Sequence, residues 1–317
     1  MNYEEFLEHV KNNILKYFDD EDTEGWSVEI TDVLKNNGVT LKALSIFKGE
    51  KDISPNIYLE PYYNSYRMGM PLDFLLSCIY QDYINIPAFG GRRQDYNFKD
   101  YESIKDSVTI RLINTKLNQK LLENCPNIPF LDFSIVFRII VPDDSSGLAS
   151  IIIDNNMYEK LDVDLDELYK TAFNNTKEQF PLHIEPLSDI ISDAYENNIN
   201  GIKDNDINGE IQMILQNLKV KMFVMTNQQK AFGATTILYE NALKEFADKM
   251  NSNLYLLPSS LHEVMLVVED DETEPTFLKD LVHSANTTAV GLIDVLSDNV
   301  YYYNRDTDDI TICEEAA

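Results

Sequence analysis

The hydrophobic pattern of the chain is most regular over residues 222–288. In the middle of this stretch, apolar residues recur at the three- and four-residue spacing of one helical face, with polar residues between them. This face consists of Tyr239, Ala242, Leu243, Phe246, Ala247 and Met250. The flanking patterns predict strands over residues 222–226, Leu254–Leu257 and Val264–Val268, and a helix over residues 277–285.

The same order of elements is predicted once more upstream, over residues 108–176. A strand (108–113), a helix (to 124), two strands (133–139 and 148–153) and a closing helix follow one another there. Three residue pairs keep one separation along the chain: Asn114 and Asn227, Leu168 and Leu281, Ala172 and Ala285. The sequence therefore predicts an α+β fold of antiparallel β-hairpins covered by helices, with an internal β-α-β-β-α duplication.

The N-terminal third predicts an amphipathic helix and then a hairpin. Its turn is Asn37-Gly38, because a two-residue type I′ turn needs positive φ at both positions. A change of phase near residues 44–46 predicts a bulge, and Gly90-Gly91-Arg92-Arg93 marks a boundary. We therefore divide the chain into an N-terminal α+β domain (1–90), a first β-α-β-β-α unit (97–182), a helical connector (183–220) and a second unit with a C-terminal hairpin (221–317).

Charge limits the classes of partner. The 317 residues include 54 Asp and Glu against 26 Lys and Arg, a formal net charge of −28. Such a charge opposes direct binding to nucleic acid and to anionic membranes. No apolar run approaches a membrane span, the first residues lack a signal-peptide layout, and three separated cysteines indicate neither disulfides nor a CxxC metal site. These observations favour a cytoplasmic protein.

The densest group of chemically versatile residues is Ser259, Ser260, His262 and Glu263. A Ser/His/acid arrangement can serve acyl transfer with His262 as the base, and Ser260 and His262 share a face if one strand runs through both. Turn residues before a strand-end histidine explain the same pattern without chemistry, and we favour that interpretation. Leu266 stands where a zinc-binding HExxH motif requires its second histidine.

Two asparagines, Asn114 and Asn227, fall where a predicted strand meets a helix. They are candidate binding residues, although an N-cap that satisfies a backbone N–H accounts for both. Arg92 and Arg93 are candidates for holding an anion, but their loop lacks the strand–loop–helix context of a phosphate loop. The four histidines show no metal spacing, and the acidic run at residues 162–167 fits a helix N-cap better than a calcium loop. We predict no metal and no cofactor.

Six motifs are spread over most of the chain. They are Lys35-Asn36-Asn37-Gly38-Val39, Ser54-Pro55-Asn56-Ile57-Tyr58-Leu59, Met225-Thr226-Asn227, Gly233-Ala234, Leu257-Pro258-Ser259-Ser260-Leu261-His262-Glu263 and Leu296-Ser297-Asp298-Asn299-Val300-Tyr301. In these motifs the chain resembles an uncharacterised family of low-GC Gram-positive bacteria, known only as domain of unknown function 5688. That family has no established activity, so the resemblance implies no catalytic residue.

Three functions stay open. The leading hypothesis is a non-catalytic cytoplasmic protein-binding or regulatory protein with an unknown protein partner. The second is an acidic mimic of nucleic acid that inhibits a nucleic-acid-binding protein in conflict between mobile elements and hosts, which the net charge motivates. The third is a hydrolase-like enzyme that uses the hairpin of Ser259, Ser260 and His262.

Overall fold

The computed structural model describes residues 1–18, 23–48, 54–85, 100–141, 149–198, 221–271 and 273–313. Within these ranges the chain is an α+β protein whose strand pairs are antiparallel, as predicted. The helices are α1 (Tyr3–Asn13), α2 (Glu60–Arg67), α3 (Leu72–Asn85), α4 (Tyr101–Ile104), α5 (Gln119–Leu122), α6 (Asn155–Leu161), α7 (Leu165–Gln179), α8 (Leu187–Asn198), α9 (Ala242–Met250) and α10 (Pro275–Thr288). The strands are β1 (Ser27–Leu34), β2 (Thr40–Phe47), β3 (Ile57–Tyr58), β4 (Val108–Asn114), β5 (Asn127–Phe130), β6 (Phe133–Val141), β7 (Ala149–Ile152), β8 (Leu182–Pro186), β9 (Met222–Asn227), β10 (Leu254–Leu257), β11 (Val264–Val268), β12 (Tyr301–Asn304) and β13 (Asp309–Ile312).

The N-terminal part has a core of its own, built from residues between 6 and 83. Helix α1 begins at a capping box, in which the Asn2 side chain accepts the Glu5 N–H and the Glu5 carboxylate accepts the Asn2 N–H, both at 2.9 Å. Helices α1 and α3 bury their apolar faces with the sheet β1-β2-β3. Fully buried side chains of this core include Phe6, Leu44 and Ile79.

The turn between β1 and β2 is longer than predicted. Asn37 and Gly38 do have the expected positive φ angles, 59° and 70°. The connection nevertheless comprises residues 35–39 rather than two residues, and the Lys35 N–H donates to the Val39 carbonyl at 2.7 Å. The extra length projects the asparagine side chains toward other loops of the molecule.

The predicted bulge near residues 44–46 is wrong. Pairing between β1 and β2 runs unbroken from Ser27 opposite Phe47 to Leu34 opposite Thr40. Residues 43–46 of β2 are all buried, and successive residues of a strand point to opposite faces. Both faces of this central strand are therefore covered. Buried residues consequently follow one another along β2 instead of alternating with exposed ones, and the change of phase needs no inserted residue.

The second sheet is centred on β6. Strand β4 pairs with one edge of β6, whereas β5 and β7 share the other edge. Helix α7 packs against β4, and two threonine side chains accept backbone N–H groups of that strand. Ile110 donates to Thr176 Oγ1 at 2.9 Å, and Leu112 donates to Thr235 Oγ1 at 3.4 Å. Backbone groups that a further strand would pair are thus satisfied by side chains.

The third sheet has the order β13-β12-β10-β11-β9-β8. One of its faces packs on α9 and on the 3-10 helix Gly233–Leu238, in a core shared with the second sheet. Helix α10 covers the other face through Leu278 and Val282. Phe246 of α9 lies in the shared core, as the helix pattern predicts, and its ring contacts Phe223 of β9 edge-on.

The strand pairing does not confirm the predicted internal duplication. In the first segment β5 precedes β6, so β6 is the third strand, and it is central and pairs with β4, β5 and β7. In the second segment the third strand, β11, is central and pairs with both β9 and β10. The predicted equivalence of β6 with β10 is wrong, because β6 is antiparallel to β4 whereas β10 is parallel to β9. The first three strands of each segment have the same order, β4-β6-β5 and β9-β11-β10, but the first segment adds β7 beside β6. The three residue pairs that keep one separation along the chain reflect similar local periodicity. Local periodicity carries no information on which strands pair.

The structure also differs from two other predictions, the helical connector over residues 183–220 and the helix that reaches residue 124. The segment predicted as a helical connector begins within β8, which pairs with β9 as part of the third sheet, and α8 follows it. Residues 199–220 lie outside the described ranges. The helix predicted to reach residue 124 is reduced to α5, and strand β5 follows it. The four-part domain division stays a prediction.

Candidate functional site

The loop that follows β9 is held by its first residue. We call residues 227–233 the Phe232 loop. The Asn227 side-chain amide donates to the Ala231 carbonyl at 2.7 Å, and its Oδ1 accepts the Ala231 N–H at 3.3 Å. Asn227 is thus the clamp of a loop, and the N-cap role predicted for it is wrong because no α-helix begins here.

The loop also depends on a close approach of three chain segments at Gly233. A Cβ on this residue would meet the Thr226 hydroxyl, the His262 carbonyl at 2.5 Å and the Asn227 nitrogen at 2.8 Å. Only glycine fits without displacing backbone. Phe232, next to it, has a φ of 54°, a strained conformation for a bulky residue. Backbone strain of this kind persists only where the surrounding structure enforces it. The position of the Phe232 ring is therefore fixed by the contacts around it.

The Phe232 ring joins a cation and an imidazole. The Arg111 guanidinium carbon lies 3.6 Å from the ring centroid, and the His262 ring stacks on Phe232 at 5.2 Å and 27°. His262 Nδ1 accepts the Phe232 N–H, and His262 Nε2 lies 3.3 Å from Asp294 Oδ1. A ring nitrogen that accepts an N–H carries no proton, so the neutral ring has its proton on Nε2 and donates it to Asp294.

The predicted serine and acid partners are near His262 in sequence but do not contact its ring. Ser260 Oγ accepts the backbone N–H of His262 at 3.0 Å, and Ser260 is buried. Ser259 contributes its carbonyl to the Leu296 N–H, and Glu263 is exposed. With both ring nitrogens engaged, the imidazole has no free lone pair to take a proton from Ser260 in this geometry.

Asn114 belongs to a network of asparagines that joins the N-terminal hairpin to the rest. Its Oδ1 accepts the Leu117 N–H, and its amide donates to the Leu296 carbonyl, both at 2.9 Å. The Asn118 amide bonds to Asn37 Oδ1 at 2.9 Å, and the Asn37 amide bonds to the carbonyl of Val295 at 2.7 Å. Asn114 therefore caps a turn and ties it to the segment that carries Asp294.

The remaining predicted site residues give less. Arg92 and Arg93 lie outside the described ranges. Asp164 caps α7 by accepting the Glu167 N–H at 2.8 Å, which confirms the N-cap interpretation of the acidic run. Among the described residues, no group of three His, Cys, Asp or Glu side chains is placed to hold a metal ion.

Two arginines that the sequence analysis missed face a common cavity. Thr109 of β4 lies opposite Arg138 of β6, and Arg111 is two residues from Thr109, so all three occupy one face of the sheet. The cavity beside them is small, about 20 Å³. We call it the Arg111 pocket; its lining includes Thr109, Arg111, Arg138, Ser150, Asn227 and Phe232.

The two guanidinium groups differ in their partners. Arg138 Nε donates to Ser150 Oγ at 2.9 Å, and its Nη2 donates to the Ser150 carbonyl at 3.1 Å. Arg111 makes its cation–π contact with Phe232, and its buried Nε has no hydrogen-bond partner among the described residues. Neither arginine forms an ion pair with a carboxylate in the described ranges.

Burial makes these charges costly. Loss of solvation lowers the pKa of Arg111 well below its ordinary value, the charge of Arg138 lowers it further, and Asp294 raises it. Burial lowers the pKa of Arg138 to about 10. A guanidinium group stays protonated in proteins, so the protein maintains two cations that repel each other at one cavity.

The sequence did contain a signal for this pocket. Arg111 and Arg138 each interrupt a strand that is otherwise dominated by apolar residues. A charged residue inside a buried strand is expensive and needs a reason. Motif searches over neighbouring residues could not join the two, because they come from different strands and meet a loop that is remote in sequence.

In its described part the chain is an α+β protein with a pocket under a strained aromatic loop, and the two arginines of this pocket form no ion pair there. The chain belongs to the family of unknown function DUF5688, whose family model matches residues 3–305. Comparison with curated proteins and with solved structures finds no match. Among the described residues, no helix has the length and apolar character needed to cross a bilayer.

Proposed function

We propose that this chain is a non-catalytic binding protein with a regulatory role, and that it takes its ligand at the Arg111 pocket. One observation carries the proposal. A half-buried cation is held over Phe232 by a loop that is strained to present it, yet its buried Nε makes no hydrogen bond to a described residue. Proteins retain such costs chiefly where a site is needed.

The groups around the pocket favour binding over chemistry. The donors that line it are the two guanidinium groups, since the Thr109 hydroxyl already donates to the Arg138 carbonyl at 3.3 Å. The nearby imidazole of His262 has both nitrogens occupied, by Phe232 and by Asp294. Preorganised donors without a free base orient a ligand and do not transfer its protons.

A regulatory role is supported by what the loop touches. His262 connects the Phe232 loop to Asp294, and the neighbouring carbonyls of Leu292 and Val295 accept hydrogen bonds from Asn37 of the N-terminal hairpin. Occupation of the pocket can therefore alter how the N-terminal part is held. The partner that would respond is an unknown protein, and the location we propose is the cytoplasm.

The test of this proposal is whether the chain retains a small compound without converting it to a product. The purified full chain is incubated with a small-molecule extract of bacterial cells and passed rapidly through a desalting column, and the retained compounds are identified by mass spectrometry. We expect one class of compound to be retained and recovered unchanged, and retention to be lost in Arg111→Met. Conversion of a retained compound to a product, abolished in His262→Ala, would contradict the proposal and favour the hydrolase hypothesis.

A further inference from the structure

Among the described residues, no carboxylate forms an ion pair with Arg111 or Arg138, and this is not due to a shortage of acids. The chain has 54 Asp and Glu residues for 26 Lys and Arg. Arg305 illustrates the usual outcome, since its Nε lies 3.6 Å from an Asp248 carboxylate oxygen and its Nη1 donates to Asn251 at 2.7 Å. A chain so rich in acids that, within its described part, still leaves these two half-buried arginines without an ion-paired carboxylate has kept that place open.

Asp294 does not fill the place. It is close enough to raise the pKa of Arg111, but it forms no ion pair with it, and its Oδ1 is engaged with His262. Two cations against one such carboxylate leave the pocket positive. The two hydrogen bonds from Arg138 to Ser150 hold one guanidinium in place, and Phe232 holds the other.

We infer that the Arg111 pocket binds a single oxyanion, the carboxylate or phosphate group of the ligand, between the guanidinium groups of Arg111 and Arg138. This inference rests on the proposed function and names the chemical class of its ligand. Arginine is suited to this task because its planar fork of donors matches the oxygens of carboxylate and phosphate groups. A cavity of about 20 Å³ admits one small polar group, so the rest of the ligand lies outside it.

The oxyanion also removes the cost of the site. Its negative charge offsets the repulsion between the two arginines, and its oxygens accept the hydrogen bond that the Arg111 Nε otherwise lacks. An empty pocket should therefore weaken the fold, whereas a filled one should strengthen it. A purely structural arginine would behave in the opposite way on removal, which makes the two roles separable.

The test measures the unfolding temperature of the full chain while inorganic phosphate or acetate replaces chloride at constant ionic strength. The variants are Arg111→Met, Arg138→Met, Arg111→Lys and, as a matched control, Arg67→Met on the exposed surface of α2. We expect a saturable rise at millimolar anion, on the order of 5 °C at a large excess over the dissociation constant. Both methionine variants of the pocket should lose the rise, Arg111→Lys should keep a smaller one, and Arg67→Met should keep all of it.

The two arms identify the group. A response to phosphate alone assigns a phosphoryl group, a response to acetate alone assigns a carboxylate, and a response to both assigns a shared oxyanion site. Without anion, Arg111→Met should unfold at the same temperature as the wild type or higher. A clearly lower temperature would overturn the inference, as would an anion effect of equal size in Arg111→Met, which is the general action of such salts.

If the methionine variants fail to fold, calorimetric titration of the wild type with the same anions tests the inference instead. Absence of any saturable binding would overturn it. Failure of the oxyanion inference can be distinguished from failure of the proposed function. Retained compounds that carry no oxyanion would refute the inference and leave the binding function standing. Conversion of an oxyanion ligand to product would refute the function and leave the oxyanion site standing.

Discussion

Truncation of Phe246 to alanine tests the packing of the shared core. Phe246 is 7% exposed, and its ring centroid lies 4.9 Å from that of Phe223 at an interplanar angle of 74°. Removing a buried phenylalanine side chain costs about 3–5 kcal/mol, of which the edge-to-face pair contributes about 0.5–1.5 kcal/mol. We expect a value near the lower end, about 3 kcal/mol, because Phe246 is not completely enclosed.

The matched control is Lys244→Ala, two residues away on the polar face of α9. Its side chain is 36% exposed and pairs with Asp248 at 2.6 Å. An exposed pair of this spacing contributes about 0.3–0.5 kcal/mol, so the loss should stay under about 1 kcal/mol. Urea unfolding followed by circular dichroism compares the two variants: a slope of about 3 kcal/mol/M turns a loss of about 3 kcal/mol into a shift of about 1 M. Equal midpoints would show that the helix phase is wrong.

Gly233→Ala should cost about 1–3 kcal/mol in the same urea assay, because a Cβ would press on the His262 carbonyl at 2.5 Å; an unchanged midpoint would refute the loop geometry. Stability should be steady to about pH 9 and fall above about pH 10, where unfolded tyrosine ionises. Burial, and then the 2.5 Å hydrogen bond to Asp132, raise the pKa of Tyr301. Above about pH 10 only the unfolded state therefore releases that proton. Tyrosinate absorbance that titrates fully while the fold persists would contradict this. At low salt the chain should bind neither duplex DNA nor anionic vesicles, because of its charge of −28, and measurable binding in a gel-shift or flotation assay would refute that.

Local pattern predicted some elements residue for residue and missed others for a physical reason. Strands β10 and β11 have the predicted bounds, because each is a short apolar run with turn residues between them. Strands β5 and β8 were missed, and each contains a proline, Pro129 and Pro186. Proline is confined to edge positions of sheets, and each strand pairs with a single neighbour. Pairing order itself depends on contacts between remote segments, so local pattern could not establish which strands of the two segments correspond.

The sequence pattern singled out residues of the site but did not indicate their roles. Asn227 and His262 were singled out as binding and catalytic candidates, and the structure gives them the clamp of the Phe232 loop and its anchor to Asp294. The arginines were overlooked, because a charged residue in an apolar strand has meaning only when its neighbours in space are known. The serines of the same hairpin are accounted for by turn hydrogen bonds.

The most direct measurement of the central claim is NMR of the arginine Nε–H groups. The full chain, labelled in arginine, is titrated with phosphate and separately with acetate, and signals are assigned through Arg111→Met, Arg138→Met and Arg67→Met. We expect the Arg111 and Arg138 signals to move together to saturation with at least one of the two anions, whereas the Arg67 signal stays in place. Signals of Arg111 and Arg138 that do not move with either anion, or that move no more than that of Arg67, would contradict it.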